Sequence, residues 1–314
     1  MLAIINSRAK LPTDQSAILR DFKTSYRTIF SVNPKTEKSA VQTYILHLAP
    51  ADTSGINVCA GAGNCKAICL HFAGNPVYMN AKQAARIRRT LAYVSDPSRF
   101  MRLLACGILD KINQHNKDAK GIGNLEGEPL AFRLNGTSDI VWENVDFDIT
   151  PEFAQFCRIK LGRILPLGKR NIFEVFNWMR QNTGENVTFY DYTKVRHNWA
   201  ECSRLNYHLT FSFDGWDNAA NLKIAKSALL AGVNLAAAFN LKRGEALPVE
   251  ISANGLDLPS SATFHPGAVL PVLDGDLTDY RPADPAIGAI IGLRFKLPHG
   301  INYSAAEKMA FCIA

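Results

Sequence analysis

No apolar run in this sequence is long enough to cross a bilayer. The longest candidate, Ala228 to Phe239, is broken by Asn234 and falls short of the required length. The first residues, Met1-Leu2-Ala3-Ile4-Ile5-Asn6-Ser7-Arg8, lack a charged leader followed by an apolar block, so no secretory signal is expected. Seven cysteines are too few for a disulfide scaffold in a chain of 314 residues, and the number is odd. Neither sign of charge dominates. Thirty-five Lys and Arg against 28 Asp and Glu leave +7, which tolerates an anionic partner without demanding one. No phosphate-binding loop of the Gly-x4-Gly-Lys-Ser/Thr type occurs. Gly121-Ile122-Gly123 lacks the further Gly and the preceding strand of a dinucleotide fingerprint. There is no internal repeat and no low-complexity linker. These absences leave a cytoplasmic protein with reduced thiols and no membrane association.

What is present is alternation. Gln42-Thr43-Tyr44-Ile45-Leu46-His47-Leu48 reads as a strand bounded by turn residues. From Val77 to about Asn113, Ala81, Ala84, Ala85 and Leu91 recur at helical spacing, and Asp96-Pro97-Ser98 divides two helices. The polar, Gly-rich segment from Asp118 to Pro129 reads as a loop. Further strands are expected at 130–134, 187–192, 207–212, 233–239, 268–273 and 289–294. Helices are expected at 149–160, 171–181, 219–231 and from Ser304 to the end. Several strands are apolar on both faces, as parallel strands covered by helices must be. The expected fold is therefore α/β, a parallel-stranded full or partial (β/α) barrel of the TIM-barrel kind, or else a doubly wound sheet. Residues 1–40 would cap one domain spanning 41–314. Residues 241–266, irregular and proline-containing, would be an insertion in it.

Parallel α/β folds place ligands beyond the carboxyl ends of their strands. Those ends are polar here: Asp52-Thr53, Asn135-Gly136-Thr137-Ser138-Asp139, Asp191-Tyr192-Thr193-Lys194, Ser212-Phe213-Asp214, Asn240-Leu241-Lys242, and Asp274-Gly275-Asp276-Leu277-Thr278-Asp279. Polar turns account for any one of them. Lys194 and Asp191, directly after an aromatic strand, are the least turn-like. A lysine there could serve as a general acid or bind an anion. Asp274, Asp276 and Asp279 could hold a metal for phosphoryl transfer, though Asp-Gly-Asp is common turn chemistry.

Three of the seven cysteines fall within eleven residues: Cys59, Cys65 and Cys69. Cys65 and Cys69 would share a helical face, with Cys59 reaching in from the Gly-rich loop. Three readings are open. Three cysteines can hold an iron-sulfur cubane with one iron left open. Zinc is the alternative metal, but it favours four ligands in paired knuckles, and His71 stands close to Cys69 for a fourth. The third reading is three small buried residues. Cys106, Cys157, Cys202 and Cys312 are scattered and fit a packing role.

Several longer motifs resemble the bacteriophage gene product 88 family. They are Ala49-Pro50-Ala51-Asp52-Thr53-Ser54-Gly55 leading into Asn57-Val58-Cys59, then Asn135 to Ile140, Phe189 to Lys194, Asn206 to Ser212 and Asp274 to Arg281. The resemblance runs from about residue 40 to residue 296 and implies a phage or prophage origin. The layout of strand, cysteine loop, helix and further parallel strands is also similar to radical S-adenosylmethionine enzymes. Their usual spacing has three and then two residues between cysteines, whereas here it is five and then three.

That second likeness implies a function. Cys59, Cys65 and Cys69 would hold a four-iron, four-sulfur (4Fe-4S) cluster whose open iron takes S-adenosylmethionine. Asn135, Ser138, Asp139 and Ser212 would bind that cofactor. Asp191, Lys194 and Asp276 would face an unknown substrate. The alternative is a zinc- or metal-containing phage protein of nucleic-acid binding or replication. It would use Arg86, Arg88 and Arg89 on one helix, a basic stretch at Lys160, Arg163, Lys169 and Arg170, and stacking on Tyr190 and Tyr192. An arginine run is also what a solvated helix face looks like.

Overall fold

The structure is a computed structural model that describes residues 25–32, 41–66, 80–122, 130–215, 217–252, 269–296 and 312. Among these residues there are eleven strands: β1 (Phe30–Ser31), β2 (Gln42–Leu46), β3 (Leu130–Arg133), β4 (Asp146–Ile149), β5 (Gly168–Asn171), β6 (Val187–Thr193), β7 (Tyr207–Ser212), β8 (Leu235–Phe239), β9 (Glu250–Ser252), β10 (Val269–Asp274) and β11 (Ile290–Arg294). Six α-helices accompany them: α1 (Asn80–Ser95), α2 (Pro97–Ile122), α3 (Pro151–Leu161), α4 (Ile172–Thr183), α5 (Trp199–Arg204) and α6 (Ala219–Leu230). Among the described residues no helix is long and apolar enough to cross a membrane.

Helix ends follow local chemistry. Thr150 caps α3 through Phe153 N, Pro151 takes the first turn, and Gly162 closes it in the left-handed region at φ 67°. Asn171 and Glu174 form a reciprocal capping box at the start of α4. Helix α2 runs on to Ile122, beyond the Asn113 limit read from the sequence and into the segment expected to be a loop. Near the expected end, side chains one turn apart join, with Lys111 Nζ and Gln114 Nε2 donating to Gln114 Oε1 and Asp110 Oδ2 at 2.8 and 2.9 Å.

Nine strands form one sheet in the order β1-β2-β3-β6-β7-β8-β11-β10-β9, and β4 pairs with β5 in a separate antiparallel ribbon. From β2 to β10 every pairing in the large sheet is parallel. The first five parallel strands, β2-β3-β6-β7-β8, lie side by side in chain order, so each crossover steps in the same direction. Their helices therefore collect on one face. Registers place Phe132, Phe189, Tyr207, Phe211, Leu235 and Ile290 on that face. They pack with α2, α4 and α6 residues such as Leu104, Ile108, Phe173, Phe176, Ala225 and Leu229. Phe173 stacks on Tyr207 at 4.0 Å between ring centres.

The other face is smaller and more polar. Thr43, Ala131 and Thr188 form one row, and Tyr190 faces His208 in the next. Arg133 lies 5.6 Å from the Tyr190 ring and 5.1 Å from the Tyr192 ring. Tyr280 packs edge-on against Tyr190 at 5.6 Å.

The α/β class and the mostly parallel sheet agree with the sequence. A full barrel is a different matter, because the described strands form an open sheet. The chain leaves β8, forms β10 two places away and returns to insert β11 between them. Antiparallel strands then occupy both edges, β1 beside β2 and β9 beside β10. These edge strands have two and three residues and come from segments read as a cap and an insertion. The closing helix expected from Ser304 lies outside the described residues, apart from Cys312.

Candidate active site at the carboxyl edge of the sheet

Three buried carboxylates hold the loops that follow β2, β3 and β6. Asp191, on β6, accepts from Leu134 N at 3.0 Å, Asn135 N at 2.9 Å and Tyr207 Oη at 3.1 Å. It thereby fixes the start of the β3 loop. Asp139, in that loop, accepts from Lys194 N and Thr193 Oγ1 at 2.8 Å each, and so fixes the β6 loop. Asp214, after β7, accepts from Asn64 N and Asn218 Nδ2 on Oδ2 and from Cys65 N on Oδ1, all at 2.9 Å. It fixes the cysteine loop. Each acid thus satisfies backbone N–H groups of a neighbouring loop that would otherwise be orphaned in the interior.

The cysteine loop, residues 51–66, follows β2 and lies across the ends of its neighbours. Asp139 N donates to Val58 O at 2.8 Å, and Cys59 bridges Asp139 in a single parallel β-contact. Asn64 Nδ2 donates to Asp214 O at 2.9 Å and to Asp217 Oδ1 at 2.6 Å. Two glycines make the approach possible. A Cβ on Gly61 would stand 2.9 Å from the Lys194 backbone, and one on Gly63 would overlap Asp214 Oδ2. Cys59 and Cys65 are both half-buried. Cys59 Sγ accepts from Ala51 N at 3.3 Å and donates to Thr137 O at 3.7 Å. Cys69 and His71 lie outside the described residues.

Lys194 reaches toward the same edge. Its Nζ donates to Ser212 Oγ at 2.5 Å and lies 4.0 Å from Asp214 Oδ1. The structure thus brings together Cys59, Cys65, Asp139, Lys194, Ser212 and Asp214. It gives the other expected site residues different surroundings. Asn135 Oδ1 accepts from Ser138 Oγ, Ile140 N and Trp142 Nε1 at 2.9–3.0 Å, so Asn135 and Ser138 are engaged in shaping their own turn. Asp191 is fully buried. Burial raises its pKa to about 7 against the opposing pull of Arg133, the Asn135 and Leu134 amides and Tyr207. Asp276 stands four strand places from β6, at the ends of β10 and β11. There it accepts from Arg294 N and Lys296 Nζ at 3.0 Å each. Burial opposes its charge, but these partners hold its pKa below the usual carboxylate range.

The basic residues are not one continuous surface. Arg88 and Lys169 are exposed, but Arg86 is buried. Arg89 donates to His47 O at 3.3 Å and Thr28 O at 2.9 Å, and Arg170 is half-buried on the β5 ribbon. Burial and the charges of Arg86, Arg133, Arg89 and Lys82 drive the His47 pKa down to about 3.

Sequence reasoning named Asp214 only as the end of a strand. Its role depends on Asn64 and Cys65, about 150 positions away, and no spacing rule connects them. The available signal was Gly61 and Gly63 inside the cysteine segment, a mark of close backbone approach.

The family model described as Gene product 88 matches residues 22–314. No curated protein and no solved structure matches the chain. The chain belongs to the gene product 88 family.

Proposed function

We propose that this member of the gene product 88 family is an iron-sulfur enzyme of the radical S-adenosylmethionine type. The observation that carries the reading is the placement of Cys59 and Cys65. Both stand on a loop that follows the first parallel strand, docked by Asp214 over the carboxyl edge of the sheet. The first five parallel strands of the open sheet run in order with helices on one face, which supports the reading without forming a barrel. The donor chemistry fits. Cys59, Cys65 and Cys69 would hold the 4Fe-4S cluster, and the Ala51 amide already donates to Cys59 Sγ. When bound and reduced, such a cluster would supply the electron that cleaves S-adenosylmethionine.

The chain's own residues have simpler roles. Asn135, Ser138 and Asp139 shape the wall of the cofactor site by fixing the β3 and β6 loops. Ser212 and Lys194 offer a hydroxyl and an ammonium to cofactor or substrate. Asp191 positions these loops from the interior, and Asp276 serves a more distant part of the edge.

The test is cofactor cleavage. Protein reconstituted with iron and sulfide without oxygen, then reduced, should convert S-adenosylmethionine to methionine and deoxyadenosine. Cys65→Ala should reduce turnover to background. A reconstituted, reduced protein that leaves S-adenosylmethionine intact would refute the assignment.

A further inference from the structure

A second set of metal-type donors lies apart from the cysteine loop. Glu143 stands in the single helical turn Trp142–Asn144 after β3, His197 in the loop after β6, and Cys202 on α5. One ligand atom from each falls within 4.8 Å of the other two. His197 Nδ1 is 2.6 Å from Glu143 Oε1, and Cys202 Sγ is 3.5 Å from the same oxygen. All three are buried: the His197 and Glu143 side chains are 0% and 7% exposed, and Cys202 is 1% exposed.

One observation points to a ligand here. Glu143 Oε2 is buried without a hydrogen-bond partner among the described residues. An unmatched carboxylate oxygen in the interior is costly. Thr193 Oγ1 lies 2.8 Å from Asp139 Oδ1 and 2.9 Å from His197 Nε2, so the far side of the ring is held and its Nδ1 is aimed at Glu143 Oε1.

We propose that Glu143, His197 and Cys202 bind one divalent cation of the zinc class. Mixed oxygen, nitrogen and sulfur donors suit zinc or cobalt(II) and not magnesium or calcium. Ligand atoms around tetrahedral zinc stand roughly 3.3–3.7 Å apart for bonds of about 2.0–2.3 Å. The Cys202–Glu143 separation already meets that distance, and the His197–Glu143 contact must open by less than about 1 Å. The Asp139–Thr193–His197 chain then orients the ring, as an outer carboxylate does for a metal-bound histidine. Burial and the Glu143 charge otherwise push the Cys202 thiol's pKa up, so the cation would be what turns it into a thiolate. Enclosure of all three donors makes the ion a staple. It would join the turn after β3 to the β6–α5 loop that carries Lys194. The site stands whether or not the loop cysteines hold a cluster.

The probe is cobalt(II). Protein with the loop ligands removed (C59A, C65A and C69A together) would be refolded with cobalt(II) and freed of excess metal. One cobalt per chain is expected, with a thiolate-to-cobalt charge-transfer band. Adding C202S should abolish the band. Adding E143Q, which keeps size and shape, should weaken binding at least about tenfold. Circular dichroism checks that each variant folds. If the triple variant does not fold, the same comparison in the otherwise unaltered chain should lose one metal equivalent with C202S or E143Q. Folded protein without cobalt, or a band and stoichiometry unchanged by both C202S and E143Q, would overturn the site. It would leave a proton shared between His197 and Glu143.

Discussion

Replacing Asp214 by alanine is expected to lower unfolding stability by about 3–5 kcal/mol, since it leaves several donors without an acceptor at about 1–3 kcal/mol each. Asp214 is fully buried and accepts from two backbone amides of the cysteine loop and from Asn218. Alanine leaves those donors facing an empty space that water cannot fill well. The loop has few apolar anchors of its own, so it should detach and become sensitive to protease between residues 51 and 66. Asp217→Ala is the matching control. Asp217 is exposed and accepts only from Asn64 Nδ2 among the described contacts, so its loss should cost less than about 1 kcal/mol. Urea unfolding of the two variants against the parent checks the difference. Equal midpoints for Asp214→Ala and Asp217→Ala would mean that Asp214 does not hold the loop.

Asp191 should make stability depend on pH in a defined direction. Its folded pKa of about 7 lies above the unfolded value of 3.8, with burial as the main cause. The folded state therefore binds the proton more tightly. Its contribution is complete below pH 3.8 and disappears as the pH rises through about 7. The full swing is about 4 kcal/mol at about 1.36 kcal/mol per pH unit. Burial raises the Asp139 pKa too, so the background tilts the same way. The comparison that isolates Asp191 is with Asp191→Asn, which cannot titrate. Between pH 4 and 8 the parent should lose stability more steeply than the variant. The variant should be less stable at pH 4 by about 1–3 kcal/mol, because its amide NH2 meets a backbone N–H that expects an oxygen. Parallel stability curves would show that the carboxyl group stays charged across this range.

These two residues show how far the sequence can be read. The aromatic run of β6 identified a strand, and the Asp191-x-x-Lys194 pattern after it suggested chemistry. Lys194 does reach the edge and meet Ser212. Asp191 faces inward, to amides 56 and 57 positions earlier in the chain. A polar residue at a strand end is the same letter whether it meets a substrate or a neighbouring loop. The Asn135–Asp139 segment has the same ambiguity, and most of its polar atoms are engaged within the fold. Strand and helix alternation was legible because burial imposes period and length on each segment separately. The return of β11 between β8 and β10 was not, since it depends on which edge accepts the next strand. The β4–β5 ribbon was missed although Asp146-Phe147-Asp148-Ile149 alternates, because four residues are too few to compete with the helix that follows. The Glu143–His197 contact joins residues 54 apart on two loops, and no motif records it.

The central claim is that the loop carrying Cys59 and Cys65 holds a cluster over the edge of the sheet. Iron, sulfide and zinc content of protein purified without oxygen tests it most directly, in the parent and in C59A and C65A. The account predicts a brown protein with iron and sulfide in equal amounts, about four of each per chain, both lost in either variant. A colourless parent whose loop cysteines hold only zinc, shown by a zinc equivalent that disappears with C59A or C65A, would contradict it.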